Sequence, residues 1–153
     1  MATVGQHTLM KSTVKRSDSE QIAGSVDTNI LLRYALHDVP DQSRAIEVML
    51  ASGASPVVED AAILEMMYAL EKVYEMKRDA VCDNVCAVIR SDAFVCNSAF
   101  FERVLLLYEN EDKLSIIDCA LLEYARQRPA LPLKTFDKDM IKRSHGDASS
   151  PGV

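Results

Sequence analysis

The chain has 153 residues, enough for one compact domain and too few for two comfortable ones. Hydrophobic residues make up 48% and charged residues 26%, a globular balance that argues against a disordered chain, and no apolar run reaches the roughly 20 residues a membrane span needs. The net charge of −6 argues against binding nucleic acid by bulk electrostatics, but leaves room for binding through a metal and a local basic patch.

Residues 1–20 are polar, lack sustained periodicity and read as a flexible N-terminal extension. Lys11, Lys15 and Arg16 are followed by no apolar block, so no secretory signal is expected and a cytoplasmic location is the default. Residues 21–145 carry the domain, and residues 146–153, which include DASSPGV, read as a disordered C-terminal tail.

Within the domain, Ile22 to Val26 predicts a short strand, weakened by Gly24 and Ser25. Thr28 and Asn29 are turn and cap residues before a helix over Ile30 to Leu36. Pro40 opens a second helix that Gly53 ends. Ser55 to Val58 is a short buried strand, and Asp60 to about Lys77 a long helix with Ile63, Met67, Leu70 and Tyr74 at helical spacing. A helix over Asp79 to Ile89, a strand over Phe94 to Cys96 and helices over Ser98 to Tyr108 and Ser115 to Arg126 follow. Leu131 to Thr135 is the last strand and Asp137 to Arg143 the last helix. Short apolar strands alternating with helices predict an α/β fold, a mainly parallel sheet between helical layers. In such sheets ligands bind beyond the carboxyl ends of the strands, where VDTN and TFD leave the first and last strands.

Cys82, Cys86, Cys96 and Cys119 form no C-x-x-C pair, and His7, His37 and His145 lie far from them, so zinc spacing is absent. These cysteines read as small hydrophobes in a reducing compartment. There is no G-x-S-x-G, Cys–His signature, P-loop or G-x-G-x-x-G.

The informative residues are acids among apolar neighbours. Glu65 is the only charge in AAILEMMYAL, Asp118 the only charge in LSIIDCALL, and Asp27 the only charge from Ile22 to Leu32. A buried, unpaired carboxylate costs several kcal/mol, and one remedy is a cation shared by several of them. Hard oxygen ligands suit Mg²⁺ or Mn²⁺, which can activate water for phosphodiester cleavage. Each acid also has a purely structural role open to it. Asp118 with Ser115 has capping-box spacing, Asp137 can N-cap the last helix, Asp27 can sit at a helix N-terminus, and Glu65 can point to solvent. The solvent-facing role is weakest for Glu65, whose helix is apolar nearly all round over that stretch.

Four blocks in order, VDTNILLRY, AAILEMMYALEK, LSIIDCALLEYA and LKTFDKDM, resemble the PIN-domain family, especially the VapC-like toxins of bacterial toxin–antitoxin pairs. The resemblance runs from about Ile22 to Arg143 and implies a PIN-like, three-layer α/β/α fold. It implies that Asp27, Glu65, Asp118 and Asp137 form an acidic site for Mg²⁺ or Mn²⁺, with Asn29 and Thr135 in support; the capping-box spacing of Ser115 adds a fixed first turn that aims Asp118. It implies cleavage of RNA phosphodiester bonds, a homodimer and, for the toxin branch, an antitoxin that covers the site. The chain departs from the family at Gly24 and Ser25, where the strand is commonly more apolar, at Cys119, where Ala is usual, and at Lys134, where apolar or aromatic residues are common. Asp139 is an extra acid at the edge of the site. Arg33, Lys134, Lys138 and Lys142 are candidate RNA contacts, with Arg143 beside the last. Two other readings are a PIN-like module that binds RNA or protein without turnover, and a housekeeping RNA-processing nuclease. A metal-dependent phosphatase of another α/β fold wants a second Asp where Asn29 stands.

Overall fold

A computed structural model describes residues 22–53 and 55–152, so the N-terminal extension read over residues 1–20 lies outside the described residues. Strand β1 (Ile22–Val26) and strand β2 (Ser55–Val58) pair in parallel, with Val26 opposite Val58. The register slips by one residue between Ile22 and Ser25, where Gly24 sits at φ +84°. Only glycine adopts that backbone without strain, so the weak glycine of the sequence is the bulge residue.

Helices follow each strand: α1 (Thr28–Leu36) and α2 (Pro40–Ala51) after β1, α3 (Asp60–Lys72) and α4 (Arg78–Ile89) after β2. The strand expected over Phe94 to Cys96 reduces to a parallel bridge from Val95 to Val57. Helices α5 (Ser98–Asn110) and α6 (Ile116–Gln127) come next, then β3 (Leu133–Lys134), α7 (Lys138–Arg143) and β4 (Ala148–Ser149). The expected α/β class holds: seven helices and parallel strands among the described residues. The sheet is interrupted, however. β3 pairs with β4 in a ladder of its own and makes no backbone ladder with β1 among the described residues.

The core forms where the apolar stripes of the helices meet. Ile63, Met66, Met67 and Leu70 of α3 pack with Val81, Val85 and Val88 of α4, and with Phe100, Phe101 and Val104 of α5. Helix α3 ends earlier than its spacing predicts, at Lys72 rather than near Lys77. Glu75 takes φ +52° there, and Tyr74 and Met76 return their N–H groups to the carbonyls of Ala69 and Leu70. Those bonds satisfy carbonyls that the helix end leaves free.

The disordered tail expected from composition is overturned at residues 147–149. The N–H of Leu133 donates to the carbonyl of Asp147 at 2.8 Å and that of Thr135 to Ser149 at 3.1 Å, while Ala148 is buried. Asp147 also takes the Nε–H of Arg126 at 2.7 Å, and Arg126 shares the buried Glu123 with Arg103. A polar segment holds here because an ion network centred on the buried Glu123 supplies what its composition does not, a link no sequence window contains. Ending the chain at Gly146 is therefore expected to lower Tm by roughly 4 °C, the equivalent of about 1–2 kcal/mol at this size, read by thermal denaturation. An unchanged Tm would restore the tail to the role its composition suggests.

Candidate active site

Because β1 and β2 run parallel, α1 and α3 begin at the same edge of the sheet. Asp27 follows Val26 as the N-cap of α1, in extended backbone, and its Oδ1 accepts the Ile30 N–H at 3.1 Å. A capping carboxylate both satisfies a free amide and sits where the helix dipole favours negative charge.

The next residue turns inward. Thr28 is only 7% exposed, and its Oγ1 lies 2.6 Å from Oε2 of Glu65 and 3.2 Å from the carbonyl oxygen of Ala62. The hydroxyl has one proton; it donates to the carboxylate at the shorter distance. This bond joins the first sequence block to the second. The sequence marks Thr28 only as a turn residue; the signal it offers is a hydroxyl wedged between the two polar residues Asp27 and Asn29.

Glu65 itself is exposed. The expectation that it has the weakest excuse as a solvated acid is thus corrected. The buried stripe of α3 runs through Ile63, Met66, Met67 and Leu70, and Ala61, Glu65, Tyr68 and Lys72 share the outer face. The apolar neighbours hide this, because Ala and Tyr tolerate a solvent face. Asp27 and Asp137 are exposed too, and Asp118 is half-buried, so burial cost is not the argument for a shared cation.

Asp118 and Ser115 form the capping box that their spacing predicts. The Asp118 N–H donates to Ser115 Oγ at 3.1 Å, and the Ser115 N–H donates to Asp118 Oδ2 at 2.8 Å. Asp137 caps α7, accepting the Met140 N–H on Oδ1 at 2.8 Å. Its own N–H donates to Oγ1 of Thr135 at 3.0 Å, and Thr135 is anchored to β4 through Ser149. Thr135 thus fixes the turn that carries Asp137. Asn29 is exposed, makes no side-chain hydrogen bond among the described residues, and lines with Asp27, Ile30, Gln42 and Ile46 a groove of about 380 Å³ between α1 and α2.

A common pattern emerges. Each of the four acids engages one carboxylate oxygen with a single donor, local for the three aspartates and from Thr28 of α1 for Glu65. The other oxygen of each has no protein donor, and none of the four stands in an ion pair, among the described residues. Their spatial grouping is partial. Asp27 and Glu65 are linked through Thr28, and α3 is tied to α6 by the Tyr124 hydroxyl, which donates to Asp60 at 2.6 Å. Asp137 belongs to the separate β3–β4 ladder. No three His, Cys, Asp or Glu side chains among the described residues converge into a group that would hold a metal ion.

The cationic candidates divide. Arg33 donates to Asp38 and to the Tyr74 hydroxyl, and the Asp38 hydrogen bond pushes its pKa further up while holding that of Asp38 below the usual carboxylate range. Arg33 is committed within the fold and is not free for a phosphate. Lys134 donates to Ser149 Oγ at 3.0 Å, and Arg143 pairs with Glu111. Lys138, Lys142 and Asp139 are exposed and have no side-chain partner among the described residues. Burial pushes the Cys119 thiol, beside Asp118, up to about 12, and Cys82 up to about 11, so both stay protonated small hydrophobes.

The PIN domain model matches residues 25–145, a span containing all four acids. The chain belongs to the PIN domain family. No curated protein matches it. PIN domains are generally nucleases that bind RNA and use divalent metal ions. The donors in this PIN domain suit such an ion in kind, since hard carboxylate oxygens with a free lone-pair side are what Mg²⁺ and Mn²⁺ prefer. Replacing Thr28 with Val is expected to cost about 1 kcal/mol in urea unfolding, with Ser restoring most of it, because the hydroxyl and not the methyl carries the link to Glu65. Ser115→Ala is expected to cost a similar amount, about 1 kcal/mol, through the lost cap.

Proposed function

We propose that this PIN domain is a metal-dependent endoribonuclease whose ion, when bound, draws together Asp27, Glu65, Asp118 and Asp137, which do not by themselves converge into a metal-holding group among the described residues. The observation that carries the reading is the state of those four carboxylates: each is fixed by one hydrogen bond and, among the described residues, keeps one oxygen without a donor and its charge without a cationic partner. Asp60 and Asp79 share that state, each with one hydrogen bond and no ion pair among the described residues, but other acids of the chain are paired. Asp38, Glu111, Glu123 and Asp147 all have Arg partners. When bound, Mg²⁺ or Mn²⁺ supplies an activated water and charge stabilisation for the leaving oxygen. The protein's part is orientation. Asp27, Asp118 and Asp137 are held by helix-start geometry, and Glu65 by Thr28.

The resemblance of the four blocks to VapC-like toxins supports the finer reading of a toxin in a type II toxin–antitoxin pair, acting as a cytoplasmic homodimer and masked by an antitoxin. Among the described residues no helix is long and apolar enough to cross a membrane. A small neighbouring reading frame encoding a DNA-binding antitoxin is the discriminating observation; its absence favours the housekeeping RNA-processing nuclease.

Asp27→Asn keeps an oxygen to cap α1 and removes the charge. It is expected to abolish Mg²⁺- or Mn²⁺-dependent RNA cleavage with Tm within about 2 °C of the parent. Undiminished cleavage by a clean preparation would sink the mechanism. Millimolar Mg²⁺ or Mn²⁺ is expected to raise Tm by a few degrees through linkage, and the Asp27→Asn protein to lose most of that shift.

A further inference from the structure

A second feature adjoins the carboxylates. At the junction of α3 with the turn before α6 lies a groove of about 360 Å³, lined by Tyr68, Lys72, Arg78, Lys113 and Ile117 among others. Glu65, Tyr68 and Lys72 follow one another along the exposed face of α3, and Ser115 brings the groove to the capping box that holds Asp118. The groove therefore lies beside two of the four acids.

Its charge is unusual for this chain. Three cations face one acid, Glu71, in a protein whose net charge is −6. Arg78 gives its guanidinium protons to backbone carbonyls, those of Tyr108 at 2.6 Å, Glu111 at 3.3 Å and Leu114 at 2.7 Å, and stacks 4.0 Å from the centre of the Tyr108 ring. Carbonyls fix its position but leave its charge uncancelled. Lys113 is exposed with no side-chain partner, and Arg78 has no carboxylate partner, among the described residues. Lys72 meets only its neighbour Glu71, at 3.1 Å, an exposed pair that rearranges easily. At the lip, Tyr68 is 57% exposed. A flat aromatic face beside uncompensated cations fits a ligand that offers both phosphates and unstacked bases.

Building on the endoribonuclease reading, we propose that this groove is the RNA-binding surface: single-stranded RNA runs through it, a base stacks on Tyr68, and phosphates lie against Lys72, Lys113 and the field of Arg78. This moves the RNA path away from Arg33, whose charge Asp38 already cancels, and towards the Glu65 and Asp118 side of the molecule. Ile117 and Leu121 are also partly exposed on this face, which makes an interface between two copies the rival outcome.

The test measures binding of a labelled, mixed-sequence RNA of about eight nucleotides by fluorescence anisotropy in EDTA, where no cleavage occurs. Tyr68→Ala is expected to weaken binding about tenfold. Lys72→Ala with Lys113→Ala is expected to weaken it similarly and to reduce the slope of log Kd against log salt by about 1.4, or about 0.7 for each phosphate that no longer meets a lysine. Arg90→Glu, at the other end of α4 and about 18 Å from Arg78, is the charge control and is expected to bind as the parent does. The proposal is overturned if the groove variants bind like the parent, if the parent fails to bind in EDTA, or if Tyr68→Ala dissolves a dimer in sedimentation while RNA affinity is unchanged. In each of those cases, Mg²⁺-dependent cleavage by the parent keeps the nuclease reading alive. Binding that depends on the groove, without cleavage in any divalent metal, overturns the nuclease reading and leaves the groove standing.

Discussion

The parallel pairing of Val26 with Val58 sets the geometry on which the rest depends. Two parallel strands must send their chains out at the same edge, and each must be followed by a crossover helix. That single constraint starts α1 and α3 side by side, makes Asp27 a helix cap, and puts Thr28 in position to reach Glu65 one and a half turns into α3. The Gly24 bulge adds one residue to β1 before the pairing resumes at Ser25, so the register at the functional edge is preserved despite the irregular strand. Asp137 does not share this constraint. Its strand pairs with β4, and its orientation comes from Thr135 and from the cap it gives α7.

Capping and metal binding are usually weighed as rival explanations of an acid at a helix start. On the reading proposed for this chain they are complementary. A capped carboxylate has one oxygen occupied by a backbone amide, which removes most of its rotational freedom, and presents the other outward. A ligand for a hard cation needs that arrangement, because ordering a free side chain on binding costs conformational entropy. The amide also lies at the positive end of a helix, which stabilises the ionised form before any ion arrives. Asp27, Asp118 and Asp137 obtain this from their own helices, whereas Glu65, in mid-helix, needs a hydroxyl from another element.

The parts of this protein that are legible in its sequence are the local ones. Helix starts at Ser115 and Asp137 follow from cap chemistry within a four-residue window, and the structure forms the Ser115–Asp118 box that the spacing predicts, whereas α1 begins at Thr28 under an Asp27 cap, two residues before the Ile30 start read from Thr28 and Asn29. The PIN assignment rests on the order of four blocks, and the family match spans them. What the sequence hides needs tertiary partners. Glu65 looks buried because its neighbours are apolar, yet only one stripe of α3 faces the core. Arg33 looks free because Asp38 and Tyr74 reach it only after α1 turns back and α3 ends. The segment at Asp147 looks disordered because its anchor, Arg126, sits 21 residues away. Thr28 carries its signal in plain view, but a threonine after an N-cap has too many ordinary uses for spacing alone to single it out.

The net charge, read alone, speaks against an RNA-binding protein, and the structure shows why the total misleads. Several arginines are spent internally: Arg33 on Asp38, Arg103 and Arg126 on Glu123, Arg143 on Glu111. Counting formal charges gives these residues the same weight as cations whose field reaches solvent, although a paired charge contributes little at a distance greater than the screening length. The acids without partners and the cations without partners are the ones that shape the external potential. Among the described residues, acids without a cationic partner include Asp27, Glu65, Asp118 and Asp137, and cations without a carboxylate partner include Arg78, Lys113, Lys138 and Lys142. Of those cations, Arg78 is the one whose position is fixed, by three carbonyls and an aromatic ring, and it is fixed on the groove that borders the Ser115–Asp118 cap. A held charge loses no entropy on meeting a phosphate, whereas a free lysine must be ordered each time. That difference, more than the count of basic residues, makes the α3–α6 groove a better candidate for an RNA strand than the short basic face of α7.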